Sequence, residues 1–397
     1  KLLSNKILLK FGLISYSLYL WHFPIFSFSR ITGFIEITDN YIKLLLILLT
    51  IIISFFSYYY VEKPFRKKFE LKKIIVIFLS IISILMIFNL YIISSDGLKN
   101  RVPEVFSKNL SEKPWRLLQN KDGEYCLNRK NDFCKFNNLK NQKEIIFLGD
   151  SIMATLANDF KEKIKGSEYS LTTIVTGGCL YLPGFDRQES KTNKITNLCN
   201  AKYQNDTKKY ILDNKSNPIL VIGGRLQLYS TLKNFDNKEG GDDPSFLKNE
   251  NWEYKFVSKN NLNFKNTFIE KINEIAKKAE KVIILSPIPE VGWHVPRELY
   301  NKVKMKSLLN SNNILSDYIS TDYQVYKDRS NEAFNILNQI KGDNIKRIYP
   351  HKLFCNTLRK NRCIANDNNS IFYSDFTHPS SDSSDLINKL IISEIKR

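Results

Sequence analysis

Two short polar clusters, far apart in the sequence, contain the residue types of a nucleophilic acyl-transfer site. Gly149-Asp150-Ser151 follows an apolar run, and Asp375 stands three residues before His378 near the other end of the chain. A serine hydroxyl becomes a nucleophile when a histidine removes its proton, and a carboxylate fixes the tautomer of that histidine. The pattern therefore predicts Ser151, Asp375 and His378 as catalytic residues.

Each cluster also has an ordinary structural interpretation. Asp150-Ser151 can simply cap a helix, because aspartate and serine are preferred at helix N-termini. His378 can be a surface-loop histidine with an incidental aspartate nearby. The chain has only four histidines, so a chance Asp-x-x-His sequence paired with Gly-Asp-Ser is the less favoured interpretation.

The segments between the clusters alternate between short apolar runs and stretches with helical spacing. The apolar runs predict buried parallel strands at residues 144–148, 171–175, 218–222, 281–285 and 345–349. The helical stretches are residues 153–163, 201–212, 267–279, 330–340 and 383–395. This order predicts a three-layer α/β domain with a parallel sheet. Ser151 would then lie at the carboxyl edge of the first strand, where open α/β sheets bind ligands, and beside a helix N-terminus.

Three apolar stretches precede that domain, at residues 8–28, 44–60 and 74–93. Each approaches the roughly 20 residues that an α-helix needs to span a bilayer. The first is interrupted by serine, tryptophan and histidine, so its spanning would depend on protein neighbours. We therefore predict transmembrane helices over residues 1–95, a linker or irregular arm over 96–143, and the α/β domain over 144–397.

Basic residues predict the orientation of these helices. They are concentrated between the second and third apolar stretches, and the cytoplasmic side of a membrane carries the excess of Lys and Arg. The third stretch would then leave the cytoplasm, which places everything after about residue 95 outside. The basic residues are Lys63, Arg66, Lys67, Lys68, Lys72 and Lys73.

All six cysteines follow the apolar region and form three close pairs in the sequence. An even count of this kind predicts disulfides, which persist in oxidising compartments, so the cysteines and the basic residues indicate the same side of the membrane. Pairing of nearest neighbours is the simplest arrangement. A zinc site would be expected to show a Cys-x-x-Cys or a histidine-rich cluster, which the sequence lacks, and no metal is predicted. The cysteines are Cys126, Cys134, Cys179, Cys199, Cys355 and Cys363.

The net charge of +19 raises the alternative of a nucleic-acid-binding protein. The lysines are scattered, however, often beside asparagine, and no basic motif interleaved with aromatic residues stands out. The charge therefore indicates a solvated, lysine-rich surface, and no nucleic-acid partner is predicted.

Gly149-Asp150-Ser151 and Asp375-x-x-His378 resemble the first and last sequence blocks of the SGNH hydrolase superfamily, over residues 144–397. The resemblance implies that Ser151 is the nucleophile, that His378 is general base and then general acid, and that Asp375 orients it. It also implies an oxyanion hole whose second-block donor would be the N–H of Gly178.

The third block departs from the superfamily pattern. An asparagine after a glycine is usual there, whereas this chain has Gly223-Gly224-Arg225. Arg225 could donate to the oxyanion in place of that asparagine, or backbone groups could suffice. Arg225 could equally pair with a structural carboxylate.

The N-terminal part resembles the last part of the type-3 acyltransferase family, through the sequences SYSLYLWHFP from Ser15 and YVEKPFR from Tyr60. These integral membrane proteins O-acetylate surface polysaccharides, and some carry an SGNH domain after an extra helix. The sequences PEVGW from Pro289 and LFC from Leu353 also resemble segments of such fused domains. The proposed catalytic histidine of that family lies in earlier helices, so His22 is expected to be structural.

Together, the resemblances imply an O-acyltransferase of the bacterial inner membrane, multi-pass, with a periplasmic domain. Its acyl group, acetyl by resemblance, would come from acetyl-CoA and pass to a cell-surface polysaccharide or lipopolysaccharide, with no bound cofactor. The lipid bilayer and a surface glycan are the implied partners, and the oligomeric state stays open. Two alternatives remain: a carbohydrate esterase or deacetylase that uses water as acceptor, and a non-catalytic domain that positions a glycan.

Overall fold

The computed structural model describes residues 5–31, 40–67, 70–95, 97, 117–129, 133–137, 142–241, 243–307 and 318–397. Two compact units divide the chain, Lys1–Arg101 and Val102–Arg397. Much of the segment that was predicted to be a linker or arm, at residues 96, 98–116, 130–132 and 138–141, lies outside the described residues.

The first unit is helical. Its helices are α1 (Lys6–Ile31), α2 (Asn40–Phe56), α3 (Lys63–Lys67) and α4 (Leu71–Ser94), and a π-helical segment, Ser57–Glu62, joins α2 to α3. By length and composition, two stretches in the described part of the chain could cross a membrane, Asn40–Phe65 and Leu71–Ser94. These correspond to the second and third apolar stretches. The first stretch is helical but does not meet the same criterion, so its crossing stays a prediction.

The second unit is built on a six-stranded sheet. Its strands are β1 (Cys134–Phe136), β2 (Lys143–Gly149), β3 (Tyr169–Val175), β5 (Ile219–Gly223), β7 (Lys281–Leu285) and β9 (Ile345–Ile348), in the order β1-β3-β2-β5-β7-β9. All five predicted strands are present and parallel. The sheet is mixed, however, because β1 from the predicted arm pairs antiparallel with β3. With only three residues, β1 gives too little periodicity to be detected from sequence.

Helices cover both faces of this sheet, as the predicted three-layer α/β class requires. They are α5 (Ser151–Lys163), α6 (Ala201–Leu212), α7 (Leu226–Thr231), α8 (Pro244–Lys248), α9 (Phe264–Ala276), α10 (Val295–Ser307), α11 (Tyr323–Leu337), α12 (His351–Phe354) and α13 (Ser381–Lys396). On one face α5 and α13 pack in the core that contains Phe147, whereas α6, α9 and α11 pack in the core that contains Ile146. Residues 145–148 of β2 enter the two cores alternately, which explains why this central part of the strand is continuously apolar.

The helices differ from the sequence prediction in two ways. Helix α10 and the short helices α7, α8 and α12 were not predicted. Helix α11 begins at Tyr323, seven residues before the predicted start, because Asp322 caps it by accepting from the N–H groups of Gln324 and Val325. Two short strand pairs lie outside the main sheet: β4 (Asp186–Glu189) with β6 (Tyr254–Val257), and β8 (Ser320–Asp322) with β10 (Arg362–Ile364).

Three disulfides join the nearest-neighbour cysteine pairs, as predicted: Cys126–Cys134, Cys179–Cys199 and Cys355–Cys363. The first joins β1 to the segment before it. The second joins the turn after β3 to the segment after β4, so one disulfide lies next to the predicted oxyanion glycine.

Candidate active site

Ser151 is the first residue of α5, and only Asp150 separates that helix from β2. This abrupt strand-to-helix turn requires close backbone approach. A side chain on Gly149 would collide with the carbonyl oxygen of Gly223 at the end of neighbouring β5. Glycine at this position therefore allows the two strand ends to lie together beneath Ser151.

The structure brings the three predicted catalytic side chains into one hydrogen-bonded chain. The Oγ of Ser151 lies 2.9 Å from Nε2 of His378, and Nδ1 of His378 lies 2.7 Å from Oδ2 of Asp375. Because an ionised carboxylate only accepts, Nδ1 carries the proton and Nε2 can accept from the serine hydroxyl. Ser151 and His378 are both 8% exposed, so the pair is largely shielded from water.

The Asp375 carboxylate is held in its ionised form. Its Oδ1 accepts from the backbone N–H groups of Thr377 and His378, both at 2.8 Å, while Oδ2 faces the imidazole. Burial alone would raise the pKa of Asp375. The hydrogen bond and charge of His378 and these two N–H groups outweigh burial and hold that pKa well below its usual range.

A second segment fixes the loop that carries His378. The carbonyl oxygen of Phe376 accepts from the N–H of Val291 at 3.1 Å. The hydroxyl of fully buried Tyr373 donates to the carbonyl oxygen of Pro289 at 2.8 Å. The Pro-Glu-Val-Gly-Trp segment therefore supports the histidine loop directly.

Asp150 does more than cap α5. Its Oδ1 accepts from the N–H of Ile152 at 2.8 Å, as a helix cap does. Its Oδ2 accepts from the N–H of Arg225 at 2.8 Å and from the hydroxyl of Tyr229 at 2.5 Å. This carboxylate is completely buried, so it ties the loop after β5 to the serine turn.

The side chain of Arg225, predicted as one possible oxyanion donor, is directed to Glu290. Its Nε and Nη2 donate to Oε1 of Glu290 at 3.2 and 2.5 Å, and Nε of Arg329 donates to Oε2 at 2.8 Å. Burial would raise the pKa of Glu290, but the two arginines together lower it to about 2. Arg225 therefore forms an ion pair with Glu290, as one of the interpretations from the sequence anticipated, and its role as an oxyanion donor stays a prediction.

Gly178, the predicted second-block donor, lies in a tight turn directly after β3. The N–H of Cys179 closes the turn on the carbonyl oxygen of Thr176 at 3.0 Å, and Gly178 has φ +63°. This left-handed conformation favours glycine. Among the described residues no acceptor faces the N–H of Gly178. Since β3 lies beside β2, the turn leaves the sheet next to the serine turn.

Sequence reasoning missed the joining role of Asp150 and the role of Glu290. In the sequence Asp150 matched the pattern of a helix cap, which accounts for its residue type. No sequence pattern indicates that its side chain also contacts a loop 75 residues away. Glu290 lies within a segment that was singled out for its resemblance, yet its two arginine partners come from distant parts of the chain. Among the described residues, the contacts of His22 are local, with Nδ1 2.7 Å from the carbonyl oxygen of Tyr19.

The chain is similar over a short region to curated acetyltransferases of Staphylococcus aureus. It is 45% identical over 71 residues to the O-acetyltransferase OatA of strain NCTC 8325 / PS 47, and 44% identical over 71 residues to a putative O-acetyltransferase of strain COL. Each match covers 17% of this chain and 11% of the relative. The chain thus matches only about a tenth of the length of these relatives.

One similar solved structure is the periplasmic domain of a lipopolysaccharide acetyltransferase from Salmonella ser. Paratyphi A. It is 18% identical in sequence, with a TM-score of 0.44, and the alignment covers 75% of this chain and 99% of that domain.

The family comparison spans most of the α/β unit. Residues 118–393 match the family described as an SGNH domain fused to AT3 domains. This region is well over half of the 397 residues. The chain therefore belongs to the family of SGNH domains fused to AT3 domains.

Proposed function

We propose that this protein is an O-acyltransferase that transfers an acetyl group to a hydroxyl of a cell-surface polysaccharide or lipopolysaccharide. The observation that carries the proposal is the hydrogen-bonded chain Ser151–His378–Asp375, which has the order and atom pairing of an acyl-transfer triad. Membership in a family fused to AT3 domains and the similarity to staphylococcal O-acetyltransferases support the transfer of an acetyl group to a hydroxyl.

The first half-reaction forms an ester on the serine. As Oγ of Ser151 attacks the carbonyl carbon of the acyl donor, Nε2 of His378 takes the hydroxyl proton. The tetrahedral intermediate collapses, its bond to the leaving group breaks, and Nε2 returns the proton to that group. The ionised Asp375 stabilises the imidazolium that exists between these steps.

The second half-reaction moves the acyl group to the glycan. A sugar hydroxyl attacks the acyl-serine while Nε2 of His378 takes its proton, and the same proton returns to Oγ of Ser151 as the ester breaks. In both steps the N–H groups of Ser151 and Gly178 hold the oxyanion, because Ser151 opens a helix and Gly178 has no competing acceptor among the described residues.

The same proposal assigns the protein to the bacterial inner membrane, crossed more than once, with the Ser151 unit in the periplasm. The apolar stretches Asn40–Phe65 and Leu71–Ser94 support the membrane location. Three disulfides after the apolar part support an oxidising compartment. Acetyl-CoA in the cytoplasm would be the source of the acetyl groups, delivered through the membrane part.

The test uses the whole chain in lipid nanodiscs and follows release of para-nitrophenol from para-nitrophenyl acetate, with and without a bacterial polysaccharide acceptor. Ser151→Ala is compared with Ser167→Ala, whose hydroxyl donates to the carbonyl of Ile164 at the far end of α5. We expect Ser151→Ala to abolish the release of para-nitrophenol and Ser167→Ala to leave it unchanged. In the wild type we expect acetyl groups to appear on the polysaccharide.

Two other outcomes would overturn the proposal in different ways. Release that needs Ser151 but yields only free acetate in the presence of every acceptor would indicate an esterase. Equal release by wild type and Ser151→Ala would exclude Ser151 as nucleophile and favour a glycan-positioning domain.

A further inference from the structure

Arg187 is a buried cation beside the turn that carries Gly178. It lies in β4 and is only 7% exposed. Its Nη1 donates to the carbonyl oxygens of Gly177 at 2.6 Å and of Gly178 at 2.9 Å. A side chain at residue 178 would lie 2.7 Å from Nη1, so the guanidinium fits directly against the glycine backbone.

The charge of Arg187 has no direct ion-pair partner among the described residues, and the carboxylate of Glu253 attracts it only from farther away. Among the described residues no carboxylate lies within 4.0 Å of its guanidinium, in contrast to Arg225 and Arg329, which share Glu290. Its other contacts are neutral: Nε donates to Oγ1 of Thr196 at 3.2 Å, and Cζ lies 4.7 Å from the ring centroid of Tyr254. Burying an unpaired cation is costly, so a purely structural role would be served better by a neutral donor.

Arg187 also determines the direction of the candidate oxyanion donor. In a planar trans peptide the C=O and the N–H point to opposite sides. Because Nη1 holds the carbonyl oxygen of Gly177, the N–H of Gly178 in the same peptide points away from Arg187 and lacks an acceptor among the described residues. A cation on a carbonyl oxygen also polarises that peptide, which makes its N–H a stronger donor.

The location of the turn relates this arrangement to Ser151. The N–H of Thr176 donates to the carbonyl oxygen of Gly149 at 3.0 Å, so the turn and the serine loop leave the sheet side by side. Asn128 and a disulfide hold the turn from other directions, since Oδ1 of Asn128 accepts from the N–H of Gly177 and Cys179 is bonded to Cys199.

We propose that Arg187 is a positioning residue of the oxyanion hole, which fixes the Gly177–Gly178 peptide and places behind it a positive charge that is not in a direct ion pair. The proposal rests on the proposed function, because it needs an oxyanion at Ser151. It predicts that Arg187 acts on the transition state through Gly178 and contributes little to ground-state binding.

The experiment compares Arg187→Met, Arg187→Gln and Arg187→Lys with the wild type, all as the whole chain in nanodiscs. The kcat and KM for release of para-nitrophenol are normalised to the amount of Ser151 that a fluorophosphonate labels at completion, so unfolded molecules do not count. Removing one oxyanion donor lowers kcat by about 100- to 1000-fold in other enzymes, so for an indirect group we expect a fall of about 10- to 100-fold in the Met and Gln variants. We expect KM to stay within about twofold and Lys to restore part of kcat, because it keeps the charge.

Arg347→Met is the matched control. Nη2 of Arg347 likewise donates to two backbone carbonyls, those of Leu337 and Ile340. Arg347 itself lies in β9, at the far edge of the sheet. This variant is expected to lower the thermal unfolding midpoint without changing kcat.

Four results would overturn the proposal. The first is a folded Arg187→Met or Arg187→Gln variant with kcat within about twofold of the wild type while Ser151→Ala is inactive. The second is a change in KM alone. The third is a Lys variant no more active than the Met variant. The fourth is full activity of Ser151→Ala. This result would overturn the proposed function itself, and it is distinguished from the other three because it is seen in Ser151→Ala and not in an Arg187 variant.

Discussion

The carboxylate of Asp150 accepts a hydrogen bond from the backbone N–H of Arg225 at 2.8 Å, although 75 residues separate the two. The same carboxylate caps the helix that Ser151 opens, and Arg225 in turn pairs with Glu290. Because Val291 holds the histidine loop, one chain of contacts runs from the nucleophile turn to the loop of its base. We expect that breaking this chain impairs catalysis even when Ser151 and His378 are intact.

Asp150→Asn tests the start of this chain. The asparagine amide would place an NH2 against either the N–H of Ile152 or the N–H of Arg225, so one buried donor loses its acceptor. We expect a loss of about 1–3 kcal/mol in the free energy of unfolding. We also expect a lower kcat for ester hydrolysis. Asp322→Asn is the control, because within the described part of the chain Asp322 accepts only from the N–H groups at the start of α11, and asparagine caps a helix equally well.

Equal losses in the two variants, in both stability and kcat, would contradict the joining role of Asp150. Chemical denaturation and steady-state kinetics on the same preparations give the two numbers.

Glu290→Gln removes the negative charge between Arg225 and Arg329. Leaving two buried cations without their anion is expected to cost about 3 kcal/mol of the free energy of unfolding. Glu239→Gln removes the partner of Arg362 at a more exposed ion pair and is expected to cost less than about 1 kcal/mol. Urea unfolding of both variants measures the difference, and a cost for Glu290→Gln no larger than for the control would be inconsistent with this network.

The lowered pKa of Glu290 also predicts that the stability of the fold depends on pH in acid. Its pKa is about 2 in the folded protein, below the ordinary value of 4.5 for a glutamate carboxyl. A lowered carboxyl pKa stabilises the fold fully above the unfolded value, and this stabilisation is lost as the pH falls from 4.5 towards 2. The stability of Glu290→Gln should therefore decline less steeply than that of the wild type over this range.

The lowered pKa of His351 predicts that the stability of the fold also depends on pH under milder acidity. Burial, together with the charge of Lys352, lowers the pKa of His351 from 6.5 to about 4. The unfolded chain thus binds a proton before the folded protein does, so the stabilisation is complete above pH 6.5 and is lost as the pH falls from 6.5 to 4. The loss is about 3–4 kcal/mol at most.

His351→Phe should therefore flatten the pH dependence of the thermal unfolding midpoint between pH 6.5 and 4. The midpoint of each protein at pH 7.5 serves as its reference value. Phenylalanine suits the site, because the imidazole packs against the rings of Tyr326 and Phe334. An unchanged slope would show that His351 does not titrate in this way.

Two disulfides should differ in their effect on catalysis. Replacing Cys179 and Cys199 by serine removes a link across 20 residues next to Gly178, so we expect a loss of about 3 kcal/mol of stability and a lower kcat. Replacing Cys355 and Cys363, which are 8 residues apart, should lower stability somewhat less and leave kcat unchanged. If the first replacement leaves kcat at the wild-type value, the disulfide does not hold the oxyanion turn.

The amino-acid sequence by itself determined the α/β class, the five parallel strands, the three cysteine pairs and the candidates Ser151, Asp375 and His378. These features are local, because apolar runs, cysteine spacing and short motifs are complete within a few residues of the chain. Two features of the fold were not predicted. Strand β1 is too short to show periodicity, and the early start of α11 depends on its cap.

The tertiary structure alone decided which groups surround the site. The sequence left open whether Arg225 pairs with a carboxylate, and only the fold brings it to Glu290. Arg187 showed no sequence signal, because its proposed role depends on two glycine carbonyls brought to it by the fold. Such contacts join residues from different loops, so their partners are fixed by how the sheet and its crossover connections pack and not by sequence spacing.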